Sequence, residues 1–239
     1  MIVIPVGLLA WAFVSRGLVG NPRGDVDAGL VLWVIRMYAR WYQRLEVVGR
    51  EHIPGMDSAG PLIVLANHTA GIDPLLLIAA CRFEPRWMMA QDMRVGAVEP
   101  FWQWARIIFI DPAAGSMGGA RHAIRHLRAG GQVGLFPEGG LERPAGQIRP
   151  FGSGVGLLLK KSRAKVLPIV IDGTPTCDTA WGSLWRRGRC RLRVMEPLDY
   201  TESALSPDAI AQELRAKFLE WTGWEANDNP PEPPPRGGK

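Results

Sequence analysis

The chain has 239 residues, 47% of them hydrophobic and 21% charged, with a formal net charge of +5. That length buries a full core as one α/β domain, and that balance excludes a disordered or collagen-like chain. Three widely spaced cysteines without a CxxC pair (Cys81, Cys177 and Cys190) fit neither a disulfide framework nor a zinc site and point to a reducing compartment.

In chain order, residues 1–44 read as membrane-associating helices. The run from Ile2 to Val14 is apolar but shorter than the roughly 20 residues that span a bilayer. It lacks the basic start and Ala-x-Ala-like end of a secretory signal. A second helix opens at Asp25 and Asp27 and carries Arg36, Arg40 and Arg44 as a stripe on an otherwise apolar, aromatic-rich surface. An interfacial membrane helix has that pattern, and so does a core helix with its polar stripe in water. With the greasy leader and ten tryptophans in the chain, a residue type that favours boundaries between water and apolar matter, membrane association is the expectation.

From Leu45 on, apolar β-type runs alternate with helical patterns. Strands are predicted at 45–49, 62–66, 86–90, 107–111, 132–136, 165–171 and 191–196, and helices at 74–82, 99–105, 116–129, 153–163 and 206–222. This alternation predicts a layered αβα domain over 45–225 with a mixed, largely parallel sheet. The tail, 226–239, is proline-rich and polar and reads as disordered.

Ligand sites in open α/β sheets lie where strands end and helices begin, which singles out loops 67–73, 111–118, 137–152 and 172–178. In the first, Asp73-Pro74 has the form of a helix start, with Asp as N-cap and Pro at the first helical position. His68 has no comparable local explanation. An imidazole titrates near pH 6.5, and a carboxylate on one ring nitrogen fixes its tautomer and stabilises its cation. A spacing of five around a loop lets Asp73 turn back onto His68. The third loop has Glu138, an acceptor for hydroxyl or amide groups, followed by Gly139 and Gly140, which let a ligand approach the backbone. By itself that stretch is equally a plain Pro-Gly turn.

Taken together, "NHTAGIDP", "IIFIDP", "FPEGG" and "VLPIVIDGT", in this order and at these separations, resemble the four motifs of the 1-acylglycerol-3-phosphate O-acyltransferase (lysophospholipid acyltransferase) family. The likeness spans roughly residues 45–200, and the N-terminal helices resemble that family's membrane-binding helical pair. The resemblance implies acyl transfer from acyl-CoA or acyl-acyl carrier protein to a lysolipid hydroxyl, with no cofactor. By position, His68 would be the general base, Asp73 its orienting partner, and Asn67, Glu138, Gly139 and Gly140 would line the substrate. The acceptor oxygen would attack the thioester directly, in keeping with a chain that lacks a GxSxG elbow: Phe151 precedes Gly152-Ser153-Gly154 where that motif needs glycine.

Three departures concern the acceptor. Ala70 stands where the first motif usually has serine, Pro112 follows Asp111 where the second has arginine, and Gly140-Leu141-Glu142 replaces Thr-Arg-Ser in the third. In the family those arginines and that threonine are tied to the acceptor's glycerol phosphate. Either Arg143 or Arg106 substitutes for them, or the acceptor lacks a phosphate monoester, as a lyso-aminolipid does.

Two further stretches are basic. His122 and His126 share a helix face but have no Glu or Cys to complete a metal site, so a solvated basic face is the better reading. Residues 181–193 combine Trp181 and Trp185 with five arginines and no acid. They suit anionic head groups or coenzyme A phosphates, and no nucleic-acid module surrounds them. The expected partners are therefore membrane lipids, a lysolipid acceptor and an acyl donor, at the cytoplasmic face of a membrane. The rivals are a non-catalytic peripheral lipid-binding protein and an acyltransferase for glycerol-3-phosphate.

Overall fold

The structure is a computed structural model that describes residues 18–56, 58–111, 118–141, 145–177, 179 and 181–229. The apolar leader up to residue 17, Arg143 and the tail from residue 230 lie outside the described residues.

The strands form where β-type runs are bounded by turn residues: β1 (Glu46–Val48), β2 (Leu62–Ala66), β3 (Arg86–Ala90), β4 (Ile108–Ile110), β5 (Gln132–Leu135), β6 (Gln147–Ile148), β7 (Lys165–Asp172), β8 (Arg191–Val194) and β9 (Glu225–Ala226). Seven of them make one sheet in the order β1-β8-β7-β2-β5-β3-β4. All its pairings are parallel except β7 with β8, so the sheet is mixed and largely parallel as predicted.

The continuous apolar run of β2 reflects burial on both faces. Ile63 and Leu65 point into the core shared with helices α4 (Gly118–Arg128), α5 (Gly154–Ser162) and α6 (Pro207–Thr222). Leu62, Val64 and Ala66 point into the core under α2 (Asp73–Ala80). All five β2 side chains are at most 3% exposed, and each large one contributes about 1.5–3 kcal/mol on burial. A short helix, α3 (Glu99–Trp104), precedes the edge strand β4.

Three expectations are corrected. The N-terminal helix does not run unbroken to Arg44: α1 (Val26–Met37) passes into a π-helical turn over Tyr38–Tyr42, and Arg44 has a left-handed φ of 49°. Gln43 N still donates to Tyr38 O at 3.1 Å, and side chains anchor the turn to the 181–189 segment, with Tyr38 Oη donating to Leu184 O at 2.8 Å and the buried Gln43 Nε2 to Arg186 O at 2.9 Å. Second, residues 18–44, which lie outside the 45–225 boundary drawn for the domain, pack on it. Ala39 joins the core under α2, and Arg23 forms a two-pronged ion pair with Glu84 while stacking over Trp104 at 4.2 Å. Third, the order of the chain extends past residue 225. Gln147 and Ile148 pair with Glu225 and Ala226, and the buried Asn227 donates its N–H to Ile148 O at 3.0 Å.

Candidate active site

Strand order brings the motifs together. β7, β2 and β5 are neighbours running parallel, so the loops after their carboxyl ends, carrying Thr174, His68 and Glu138, converge. β4, which carries the second motif, lies at the sheet edge with β3 between it and β5.

Asp73 is fully buried, and its Oδ2 accepts from His68 Nδ1 at 2.9 Å, Thr69 N at 2.7 Å and Ala70 N at 2.8 Å. The N-cap of α2 is Ile72, and the Asp73 side chain does not cap the helix. The capping reading of Asp73 is thereby corrected: the carboxylate folds back over the loop because three donors there outweigh the helix end. Charge-assisted bonds of this kind are about twice as strong as neutral ones. With Nδ1 donating to the carboxylate, Nε2 is the basic nitrogen of neutral His68. It has no hydrogen-bond partner among the described residues, and the side chain is 14% exposed.

The ring plane is set by stacking. His68 lies on Phe136 with centroids 4.0 Å apart and planes 12° off parallel, and Phe136 lies on Trp87 at 5.3 Å. Gly134 makes room for this column, since a Cβ there would come within 2.6 Å of the Trp87 ring. A Gly134→Ala variant is expected to lose about 1–3 kcal/mol through overpacking. It should also lower activity by tilting His68, which a melting curve and a rate measured together would reveal.

Two residues expected to line the substrate do other work. Asn67 is fully buried, donating through Nδ2 to Ile171 O at 2.9 Å and accepting at Oδ1 from Ile171 N at 2.8 Å. Its amide extends the β2–β7 ladder beyond Ala66, so it positions the loop. Glu138 is 6% exposed and uses one oxygen for His68 N at 3.0 Å and the other for Arg149 N at 3.1 Å. It braces the histidine loop against the 147–150 segment. Burial raises its pKa, while the two backbone donors pull the other way.

Gly139 adopts a φ of 72°, which glycine takes without steric cost. Among the described residues no atom lies within 4 Å of a would-be Cβ at either Gly139 or Gly140. Arg106 does not join the histidine. It precedes the amino end of β4, whereas the motif's missing arginine position, 112, follows the carboxyl end, so Arg106 lies at the wrong end of the strand to stand in for it.

Sequence reasoning missed Thr69, Thr174, Phe136, Trp87 and Arg149. The Thr69 and Thr174 hydroxyls are 2.7 Å apart, linking the first and fourth motifs. Arg149 is buried beside Glu138 and favours its ionised form. No local signal marks these residues, since each acts across strands.

Cysteine is unsuited to nucleophilic work at two of its three positions, because burial pushes the thiols of Cys81 and Cys190 up to about 12. Among the described residues no group of three or more His, Cys, Asp and Glu side chains could hold a metal. The site therefore joins a largely parallel α/β sheet to an imidazole held by a buried carboxylate.

The family model described as Acyltransferase matches residues 44–172, more than half of the chain, and the chain belongs to that family. A curated relative, the 1-acyl-sn-glycerol-3-phosphate acyltransferase of Borreliella burgdorferi, is 29% identical over 137 residues, covering 55% of this chain. The aligned part is 52% of that protein, so this chain spans about half the length of the relative it matches. The crystal structure of the 1-acyl-sn-glycerophosphate acyltransferase PlsC from Thermotoga maritima has the same fold, with a TM-score of 0.66 at 21% identity over 83% of this chain and 82% of that one.

Proposed function

We propose that the chain is an O-acyltransferase that moves a fatty acyl group from a thioester, on coenzyme A or acyl carrier protein, to the hydroxyl of a lysolipid. The observation that carries this is the 2.9 Å bond between His68 Nδ1 and a buried Asp73 carboxylate. His68 Nε2 takes the proton of the acceptor hydroxyl as the oxygen bonds to the thioester carbonyl carbon. Asp73 stabilises the imidazolium that forms. Collapse of the tetrahedral intermediate breaks the C–S bond, and the departing sulfur takes the proton from Nε2. The step needs no cofactor beyond the thioester itself. A purely lipid-binding protein has no use for a base whose tautomer is fixed this way, which disfavours that rival.

The acceptor follows from what the motifs lack. With Pro112 and Leu141 at the family's arginine positions, a bidentate clamp on a phosphate monoester is missing. That favours a lyso-aminolipid, or a lysophospholipid with a larger head group, over lysophosphatidic acid or glycerol-3-phosphate. Thiol release from acyl-CoA and from acyl-acyl carrier protein, measured against a panel of these acceptors, tests both parts. Release stimulated by no hydroxyl acceptor would refute the activity, and strongest stimulation by lysophosphatidic acid would refute the acceptor assignment.

Among the described residues no helix is long and apolar enough to cross a membrane. Surface docking is supported by Trp41 and Trp185, which are 72% and 81% exposed, and by Trp33 and Trp181, each 53% exposed. Tyr42 Oη donates to Trp185 O at 2.7 Å, tying the π-turn to the 181–189 segment. Arg187 stacks over Tyr42 and Arg40 over Trp41, so cations flank the exposed rings as anionic head groups require. Replacing both Trp41 and Trp185 with alanine should weaken sedimentation with anionic vesicles by on the order of tenfold or more, given the apolar area lost. Unchanged sedimentation would remove this surface from the docking interface.

A further inference from the structure

The amino ends of β3 and β4 hold a second concentration of charge. A cavity of about 450 Å³ is lined by Arg86, Arg94, Trp102, Arg106, Phe109 and His122, among others. Its one carboxylate, Glu99, is already bonded to Arg94 Nε at 2.8 Å and to Gln103 Nε2 at 3.2 Å. The cavity wall thus sets three guanidiniums against one carboxylate. Neither Arg86 nor Arg106 has a carboxylate within ion-pair distance among the described residues, and Glu84 nearby is engaged by Arg23. Arg86 Nη1 instead meets His122 Nε2 at 3.5 Å, where a cation finds an acceptor only in the neutral ring.

The fold maintains this arrangement at a cost. Like charges in contact repel. Burial and then the Arg106 charge hold the Arg86 guanidinium below its usual range, and burial and then Arg86 do the same to His126. Arg106 itself adopts a left-handed φ of 53°, a conformation that costs a non-glycine residue on the order of 1–3 kcal/mol. Repelling cations around an open cavity, one of them on a strained backbone, are what a bound anion would compensate.

The register separates Arg86, at the amino end of β3, from the histidine site. Arg86 pairs in register with Val133, and Val133 with Ile63. Ile63 lies five residues before His68, roughly 16 Å along a strand. The rim is apolar: Phe101 and Val95 are exposed, and Trp102 lies 6.2 Å from Trp181.

We propose that Arg86 and Arg106, with Arg94 and His122 beside them, form a binding site for a phosphate group, distinct from the His68 centre. Guanidinium pairs recognise phosphate by parallel N–H···O bonds. The phosphate belongs either to a phospholipid head group reached over the apolar rim or to a soluble ligand such as the diphosphate of a coenzyme.

The test is direct binding by the full chain, comparing the wild type with an Arg86→Gln/Arg106→Gln double variant. Inorganic diphosphate is titrated calorimetrically, and sedimentation is measured with phosphatidylglycerol and phosphatidylcholine vesicles. The double variant is expected to weaken one of these interactions tenfold or more. Loss of diphosphate binding identifies a soluble ligand, and loss of the preference for phosphatidylglycerol identifies a head group. Arg50→Gln, which removes one positive charge near the opposite sheet edge, should leave both intact, and Arg86→Lys should retain most of the binding if the double variant's loss is not misfolding. His68→Ala should bind normally, so this proposal and the acyl-transfer reading fail separately. Equal binding of both ligands by the wild type and the double variant overturns it.

Discussion

Replacing His68 with alanine is expected to lower acyl transfer by about 10²- to 10⁴-fold, the usual contribution of a positioned general base. The loss should fall on turnover more than on substrate binding, because in the proposed reaction the imidazole takes a proton as the new C–O bond forms. The fold should survive. The His68 backbone N–H to Glu138 bond at 3.0 Å does not involve the ring, and the lost contact is one face of the Phe136 stack. Measured thiol release equal to wild type, from a variant with a normal melting curve, would refute general-base catalysis at this residue.

Asp73 should behave differently, since it serves both chemistry and fold. In Asp73→Ala the Thr69 and Ala70 N–H groups and His68 Nδ1 lose their shared acceptor. Each unsatisfied buried donor costs about 1–3 kcal/mol, so a loss of about 3 kcal/mol or more is expected. For a chain of this size that is a drop of about 6–12 °C in Tm. Asp73→Asn separates the two roles. Its carbonyl oxygen still accepts from the loop, but without the negative charge that stabilises an imidazolium. The asparagine variant should therefore melt closer to wild type while losing activity about as severely as His68→Ala. An asparagine variant with wild-type turnover would reduce Asp73 to a structural residue.

The strands and helices were legible because their signals are local. The apolar run at 62–66 and the β-type run at 86–90 are strands β2 and β3 over those same residues, and the later helices begin and end within two residues of their predicted bounds. The pairing of His68 with Asp73 was legible for the same reason: five residues of loop bring the two groups together.

Where a residue's partner came from another strand, the local reading missed that partner. Asn67 and Glu138 looked like ligands for a substrate, and both are bonded to backbone groups of other segments. Asp73 looked like a cap until its three donors were seen to lie behind it. Arg106 looked close to the motif's arginine position at 112 along the chain, yet the length of β4 lies between them.

The sequence by itself determined the α/β class, the order of elements and the identity of the histidine–carboxylate pair, because these depend on side-chain periodicity and on contacts a few residues apart. Only the tertiary structure decided that β7, β2 and β5 are neighbours. That adjacency makes one site of three distant loops, while β3, placed between β5 and β4, stacks Trp87 on Phe136 behind His68 and brings Arg86 to the cavity that Arg106 and His122 line. Strand order arises from the packing of both sheet faces at once, and no single segment of the chain encodes it.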